Sequence, residues 1–165
     1  MVKCKSTTRF PSLEVPVILT QTDTTVGFLS QNANKLYEIK ERKPTKQFIK
    51  VYDSFKSFKS STCRVPKNKR NLVRRSKKTT FVINNSSFRV SSSVLSSQIL
   101  NNLSWVYSTS ANKSQEKFNR EFCEDKADII IEDIDGLKEN RSSSLIKLNH
   151  KKRIKLRWVN LYKPF

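Results

Sequence analysis

The chain alternates short apolar runs with polar turns, and seven of those runs have strand character: Glu14–Leu19, Gln47–Tyr52, Thr79–Ile83, Trp105–Thr109, Asp128–Glu132, Ser144–Leu148 and Arg153–Trp158. They are rich in β-branched and aromatic residues and bounded by turn formers, the pattern of strands. Between some of them the apolar spacing lengthens to the helical period. Ser30–Arg42 places Ala33, Leu36, Tyr37 and Ile39/Lys40 near helical spacing, with Ser30 in place to cap it. Ser93–Leu103 sets Val94, Leu95, Ile99, Leu100 and Leu103 in a stripe, and Ser114–Lys126 puts Phe118 and Phe122 four apart. Both read as core helices. Phe55 and Phe58 predict another short helix after the second strand. Strands alternating with helices imply a mixed α/β domain. The last two strands have no helix between them and read as an antiparallel hairpin. A length of 165 residues with no dividing linker suits one domain over residues 1–165.

Composition narrows the function classes. The apolar runs are too short to span a membrane, and Met1–Lys5 is followed by no apolar stretch of the kind a signal peptide needs. Cys4, Cys63 and Cys123 are odd in number, far apart and in no CxxC pair, which predicts reduced thiols and a cytoplasmic setting. His150 is the only histidine, which disfavours a histidine-based metal site or a Ser-His-Asp triad, so no protein metal site is expected. The net charge of +19 favours an anionic partner such as a nucleotide or nucleic acid. A chain rich in Lys, Asn, Ser, Ile and Phe is also basic simply by its residue usage. The distribution says more than the sum. Lys67–Lys78 holds seven basic residues and no acid, residues 151–157 hold five more, and nine of the 14 acids lie between Glu116 and Glu139. Such blocks are solvated faces or opposed walls of a cleft.

Glycine usage of about 7% would give roughly 11 in a chain of this length, yet there are two, Gly27 and Gly136. Both follow strand-like runs, where a backbone needs positive φ or close approach, and both read equally as ordinary turn glycines. Three polar clusters stand at element ends: Thr22-Asp23-Thr24, Lys40-Glu41-Arg42 and Ser110-Ala111-Asn112. Lys and Arg one residue apart can reach one polyphosphate, as point charge and bidentate fork. Ser and Asn on a loop add short donors and acceptors. A basic helix end is equally favoured by the helix dipole. Neither GxxxxGK[ST] nor GxGxxG occurs, which disfavours the familiar nucleotide folds.

The order of these motifs resembles the YrdC-like threonylcarbamoyl-AMP synthase family. That family opens with P-T-D/E-T-x-Y-G-L, where Gln21–Phe28 reads Q-T-D-T-T-V-G-F. A helix ending in K-x-R follows, matched by Lys40-Glu41-Arg42. Of P-G-P-x-T-F/L, Thr80-Phe81 is kept, and Arg89-Val90 partly matches V-R-x-P. T-S-A-N-x-S is matched by Thr109–Ser114, D-G-G by Asp135-Gly136, P-S-T-V-V-D-L by Ser142–Leu148 and L-R-x-G by Leu156-Arg157-Trp158. The resemblance covers roughly residues 14 to 158. The departures are Arg75-Ser76-Lys77-Lys78 for the P-G-P turn, Val26 for the Tyr, Gln21 for the leading Pro and Leu137 for the second Gly.

The resemblance implies a twisted mixed β-sheet with flanking helices around a basic central groove. It implies an L-threonylcarbamoyladenylate synthase, which joins L-threonine, bicarbonate and ATP and releases pyrophosphate, for tRNA threonylcarbamoyladenosine modification. Lys40 and Arg42 would be the catalytic cations. Lys40, Arg42, Ser110, Asn112 and Arg157 would bind ATP. Thr22, Thr80, Arg89 and Ser143 would bind L-threonine. Mg²⁺ would arrive on the ATP phosphates. Threonylcarbamoyl-transfer proteins, and tRNA or double-stranded RNA on the basic surface, are the implied macromolecular partners. The alternative is a divergent member that binds RNA or nucleotide without synthase activity.

Overall fold

The computed structural model describes residues 2–4, 15–91, 103–113 and 116–157. Ten strands are described: β1 (Val2–Cys4), β2 (Ile18–Gln21), β3 (Val26–Ser30), β4 (Ile49–Tyr52), β5 (Thr79–Ile83), β6 (Ser86–Val90), β7 (Trp105–Ser110), β8 (Ile129–Ile131), β9 (Ser144–Leu148) and β10 (Arg153–Arg157). The α-helices are α1 (Ala33–Lys40), α2 (Phe55–Lys59), α3 (Arg70–Arg75) and α4 (Arg120–Lys126), with a 3-10 turn over Lys67–Lys69 before α3. The strands form one sheet in the order β1-β8-β2-β3-β7-β4-β6-β5-β9-β10. Pairs β2–β8, β4–β6 and β5–β9 are parallel, and the others are antiparallel. This is the mixed α/β domain that the pattern predicts, including the β9–β10 hairpin, with the mixed sheet and flanking helices that the resemblance implies.

Strand alternation sorts the core. Leu19 and Phe28 join Val26, Leu36, Cys123 and Ile130 in a cluster closed by α1 and α4. Their neighbours Ile18 and Leu29 join Val51 and Val106 in another. Tyr52, Phe58, Val73, Phe81, Phe88 and Ile146 form a third around α2 and α3, where the Phe58 and Phe88 rings stack 4.4 Å apart. Each fully buried side chain of this size contributes roughly 1.5–3 kcal/mol.

Several boundaries differ from the sequence expectation, each for a local reason. Strand β2 begins at Ile18, not before, because Pro16 has no N–H and the Val17 amide donates to Asp128 Oδ2 at 2.8 Å. Ser30 ends strand β3 and does not cap α1. The cap is Asn32, whose side chain accepts from the Asn34 and Lys35 amides. The helix expected over Ser114–Lys126 is confined to α4, capped by Asn119, whose Oδ1 accepts from the Phe122 amide at 3.1 Å. Trp158 and all of the Ser93–Leu103 stripe except Leu103 lie outside the described residues. Strands β1, β3 and β6 and helix α3 were not expected. No helix among the described residues is long and apolar enough to cross a membrane.

Candidate functional site

The turn after β2 is built by Thr22. Its hydroxyl donates to the Thr25 carbonyl at 2.6 Å and accepts from the Thr24 and Thr25 amides at 3.3 and 3.2 Å. Strand β3 then runs antiparallel to β7 with Gly27 opposite Ser110. A Cβ at Gly27 would lie 2.9 Å from the Thr109 carbonyl oxygen and 3.1 Å from the Thr22 methyl. Gly27 therefore serves close approach, bringing the threonine turn against β7. Gly136 serves conformation, with φ at 72° in the Asp133–Gly136 turn.

These elements surround a cavity of about 230 Å³. Thr22, Gly27, Arg42, Arg89, Ser110, Ser143 and Arg157 line it, together with Thr24, Thr25, Phe48 and Ser108. Six of the nine sequence-predicted site residues are thus brought to one cavity. The other three, Lys40, Asn112 and Thr80, do not line it and stand behind residues that do.

Lys40 and Arg42 separate because Glu41, the C-cap of α1, is left-handed at φ 47° and ψ 43°. Arg42 turns to the cavity, its guanidinium carbon 5.1 Å from the Phe48 ring centre. Lys40 turns inward and is 3% exposed. Its Nζ donates to the Ser110 carbonyl at 3.0 Å, to Asn112 Oδ1 at 2.7 Å and to the Asn112 carbonyl. Ser110 Oγ also donates to Asn112 Oδ1, at 2.6 Å. Lys40 is thus engaged with the loop that presents Ser110. Burial, with the nearby Arg42 and Lys46 charges, pushes the Lys40 ammonium down to about 8 against the opposing influence of Cys123. Burial pushes the Cys123 thiol up to about 11 and lowers the Arg42 guanidinium.

On the opposite wall Arg89 is 6% exposed. Its Nη1 donates to Asp23 Oδ1 at 2.5 Å and Thr24 Oγ1 at 3.2 Å, and its Nη2 to Thr80 Oγ1 at 3.2 Å. Its Nε is buried without a protein partner. Thr80, fully buried, also shares a 2.9 Å hydrogen bond with the Ser143 hydroxyl. Arg157, from β10, donates through Nε to the Ser143 carbonyl at 3.0 Å. The parallel pairing of Thr80 with Leu145 brings the 142–143 segment to this wall.

Sequence reading gave no role to Asp23 or Phe48. Asp23 stood inside a cluster already singled out, and its ion pair with Arg89 spans 66 positions. Phe48 carried no signal beyond its place in a strand-like run. Chemically, the cavity offers guanidinium groups for an anion, hydroxyls for a small polar substrate, and a Lys40-anchored loop between them.

A family model named Sua5_yciO_yrdC and described as telomere recombination matches residues 16–158. No curated protein matches the chain. Among solved structures, Sua5 of P. abyssi in complex with L-threonine is 17% identical with a TM-score of 0.67, over 86% of this chain and 50% of that one. MTH1692 of Methanobacterium thermoautotrophicum is 19% identical with a TM-score of 0.62, over 100% and 96%. Full-length HypF in its phosphate- and nucleotide-bound form is 13% identical with a TM-score of 0.67, over 86% and 22%. At these identities the likeness is one of fold. The chain spans about half the length of the Sua5 structures it matches, 52% and 50%.

Proposed function

The chain belongs to the Sua5/YciO/YrdC family, and from that premise we propose that it is an L-threonylcarbamoyladenylate synthase acting in tRNA threonylcarbamoyladenosine formation. The observation that carries the reading is the convergence of Arg42, Arg89, Arg157, Ser110, Ser143 and Thr22 on one cavity. The L-threonine in the Sua5 complex and the nucleotide in HypF are the kinds of ligand such a lining suits. In this reaction the threonine amine combines with bicarbonate to give a carbamate and water. A carbamate oxygen then attacks the α-phosphorus of ATP, and pyrophosphate leaves. No protein nucleophile is required, so the protein contributes position and charge. Arg42 and Arg157 stabilise the polyphosphate, with Mg²⁺ delivered on ATP. Thr80 and Ser143 set the Arg89 wall for L-threonine, and Thr22 shapes that end through its turn. Lys40 and Asn112 hold Ser110 toward the nucleotide. Threonylcarbamoyl-transfer proteins and tRNA are the downstream partners, in the cytoplasm.

The departures favour a second reading. The P-G-P turn is replaced by Arg75-Ser76-Lys77-Lys78 and the first-motif Tyr by Val26. A member that binds nucleotide or RNA without completing synthesis accounts for those losses. Pyrophosphate release separates the two. Synthesis requires release that depends on L-threonine, bicarbonate and ATP together. ATP binding without release under any combination of the three rejects the synthase and leaves the second reading.

A further inference from the structure

Four large apolar side chains stand exposed among the described residues, and three of them sit among charges. Ile134 is 101% exposed in the Asp133–Gly136 turn. That turn is closed by the Gly136 amide, which donates to the Asp133 carbonyl at 3.0 Å, and the Ile134 amide donates to Asp133 Oδ1 at 2.7 Å. The aliphatic group is thus held clear of its own chain between Asp133 and Asp135, both exposed. Neither carboxylate has an ion-pair partner among the described residues. The other two side chains are Ile154 and Leu156 of β10, 46% and 53% exposed. Strand β10 ends the sheet order among the described residues. Ile154 stands opposite the exposed Lys147 of β9, so the two share a face, and the exposed Lys152 precedes the strand.

We propose that the β10 edge receives the Asp133–Gly136 turn of a second copy of this chain, with Ile134 against Ile154 and Leu156 and the flanking carboxylates toward Lys147 and Lys152. This contact is independent of the synthase reading. Each surface carries what the other lacks: unpaired acids around an exposed aliphatic group, and cations around two more. The two do not meet within one chain, since Ile134 is wholly exposed and seven strands lie between β8, which leads into the turn, and β10. Pairing of one β10 backbone with another is disfavoured by their like charges and by the register shift between Lys155 and Arg157. The contact therefore runs through side chains. Nucleic acid fits this edge less well. Strand β10 has no aromatic side chain on which a base could stack, and phosphates leave Ile154 and Leu156 unused. A net charge of +19 drives copies apart unless acids meet bases. Nine of the 14 acids lie within Glu116–Glu139 and five bases within residues 151–157, which supplies that match. Because every copy bears both surfaces, a two-fold pair can form both contacts at once.

The test is sedimentation equilibrium of the full chain at several protein concentrations, at low and at raised salt. The wild type is expected to associate, and less so as salt screens the charges. Every substituted position is exposed, so the fold is kept, and a thermal melt checks it. Ile134→Ser is expected to weaken association about tenfold, the loss of one buried aliphatic contact. Asp133→Lys with Asp135→Lys, and separately Lys147→Glu with Lys152→Glu, are each expected to leave monomer alone. Mixed one to one, these two double variants are expected to form a heterodimer, because reversed turn then meets reversed edge and native turn meets native edge. Both remain strongly basic, so overall charge cannot bring them together. A wild type that stays monomeric up to about 1 mM overturns the inference, as does a mixture without heterodimer. Association unchanged by all three variants places the interface elsewhere and also overturns it. A monomeric wild type that binds duplex RNA, with binding lost in the Lys147 and Lys152 variant, gives the edge to nucleic acid instead.

Discussion

Lys40 makes stability and ligand binding move in opposite directions with pH. Its ammonium is held at about 8 against an ordinary value of 10.5, chiefly by burial. Between those values the unfolded chain binds the Lys40 proton more than the folded chain does. Stability therefore rises with pH through the window from about 8 to 10.5. Over the whole window the gain is roughly 3 kcal/mol at 1.36 kcal/mol per pH unit, and about 1 kcal/mol of it falls between pH 7 and 9. The same deprotonation removes a charge and one donor from the group that grips Ser110 and Asn112, so pyrophosphate affinity falls over the same range. The assay is urea unfolding of the wild type and Lys40→Met at pH 7, 8, 9 and 10. The difference between the two curves removes the contribution of Cys63 and the tyrosines, and Cys123, which senses the Lys40 charge, is replaced by Ala in both proteins. The wild type is expected to gain on the variant as pH rises, while its pyrophosphate affinity drops toward that of the variant. A difference that is flat, or that shrinks with pH, refutes a buried ammonium held down by desolvation.

Gly27→Ala is expected to cost about 1–3 kcal/mol as an overpacked contact, because its Cβ would meet a backbone oxygen at 2.9 Å; a thermal melt unchanged from wild type contradicts the close approach. Asp23→Ala strands the buried Arg89 guanidinium and is expected to cost about 3–5 kcal/mol in chemical denaturation. Adding Arg89→Met to that variant recovers part of the loss, and a single-variant cost near that of an exposed pair, about 0–1 kcal/mol, argues against a buried ion pair. Glu41→Gly relieves a left-handed side chain and raises stability by about 1 kcal/mol, since the ion pair it gives up, with Lys113 at 3.7 Å, is exposed; a lower melting temperature refutes this.

The fold was legible wherever the residue pattern and the backbone hydrogen bonds agree. Thr79–Ile83 and Ser144–Leu148 appear with the bounds read from the sequence. Strand β3 was hidden because it contains Gly27 and runs into residues whose spacing is already helical. Strand β6 was hidden because its serines carry no strand preference and its turn is Asn84-Asn85 rather than Asn-Gly. Both asparagines nonetheless take positive φ, 47° and 63°, as a tight two-residue hairpin requires. Motif order predicted which residues gather near the cavity, but not which way they face. Nothing in the sequence tells that Glu41 flips the backbone between Lys40 and Arg42, or that Asp23 reaches Arg89 across the sheet. Those are long-range outcomes of strand order.

The shortage of glycine bears on this site directly. Besides Gly136, the described residues with positive φ are Glu41, Lys78, Asn84 and Asn85. Asparagine tolerates that region, but Glu and Lys hold it at a cost of roughly 1–2 kcal/mol each. Neither lines the cavity, but each precedes a residue that builds it. Glu41 divides Lys40 from Arg42. Lys78, at φ 48°, precedes the strand that carries Thr80, and its carbonyl accepts from the Ser144 amide at 3.0 Å. That bond starts the β5–β9 pairing on which the Thr80–Ser143 contact depends. The P-G-P turn is absent from the sequence, and where its second Pro would stand Lys78 takes a left-handed φ that no proline can adopt. That lysine adds a cation to the basic tract and leaves the strand entry in place. Strain of this kind persists only where the surrounding structure fixes it, and here the fixing elements are the sheet pairings that bring the Arg89 wall together.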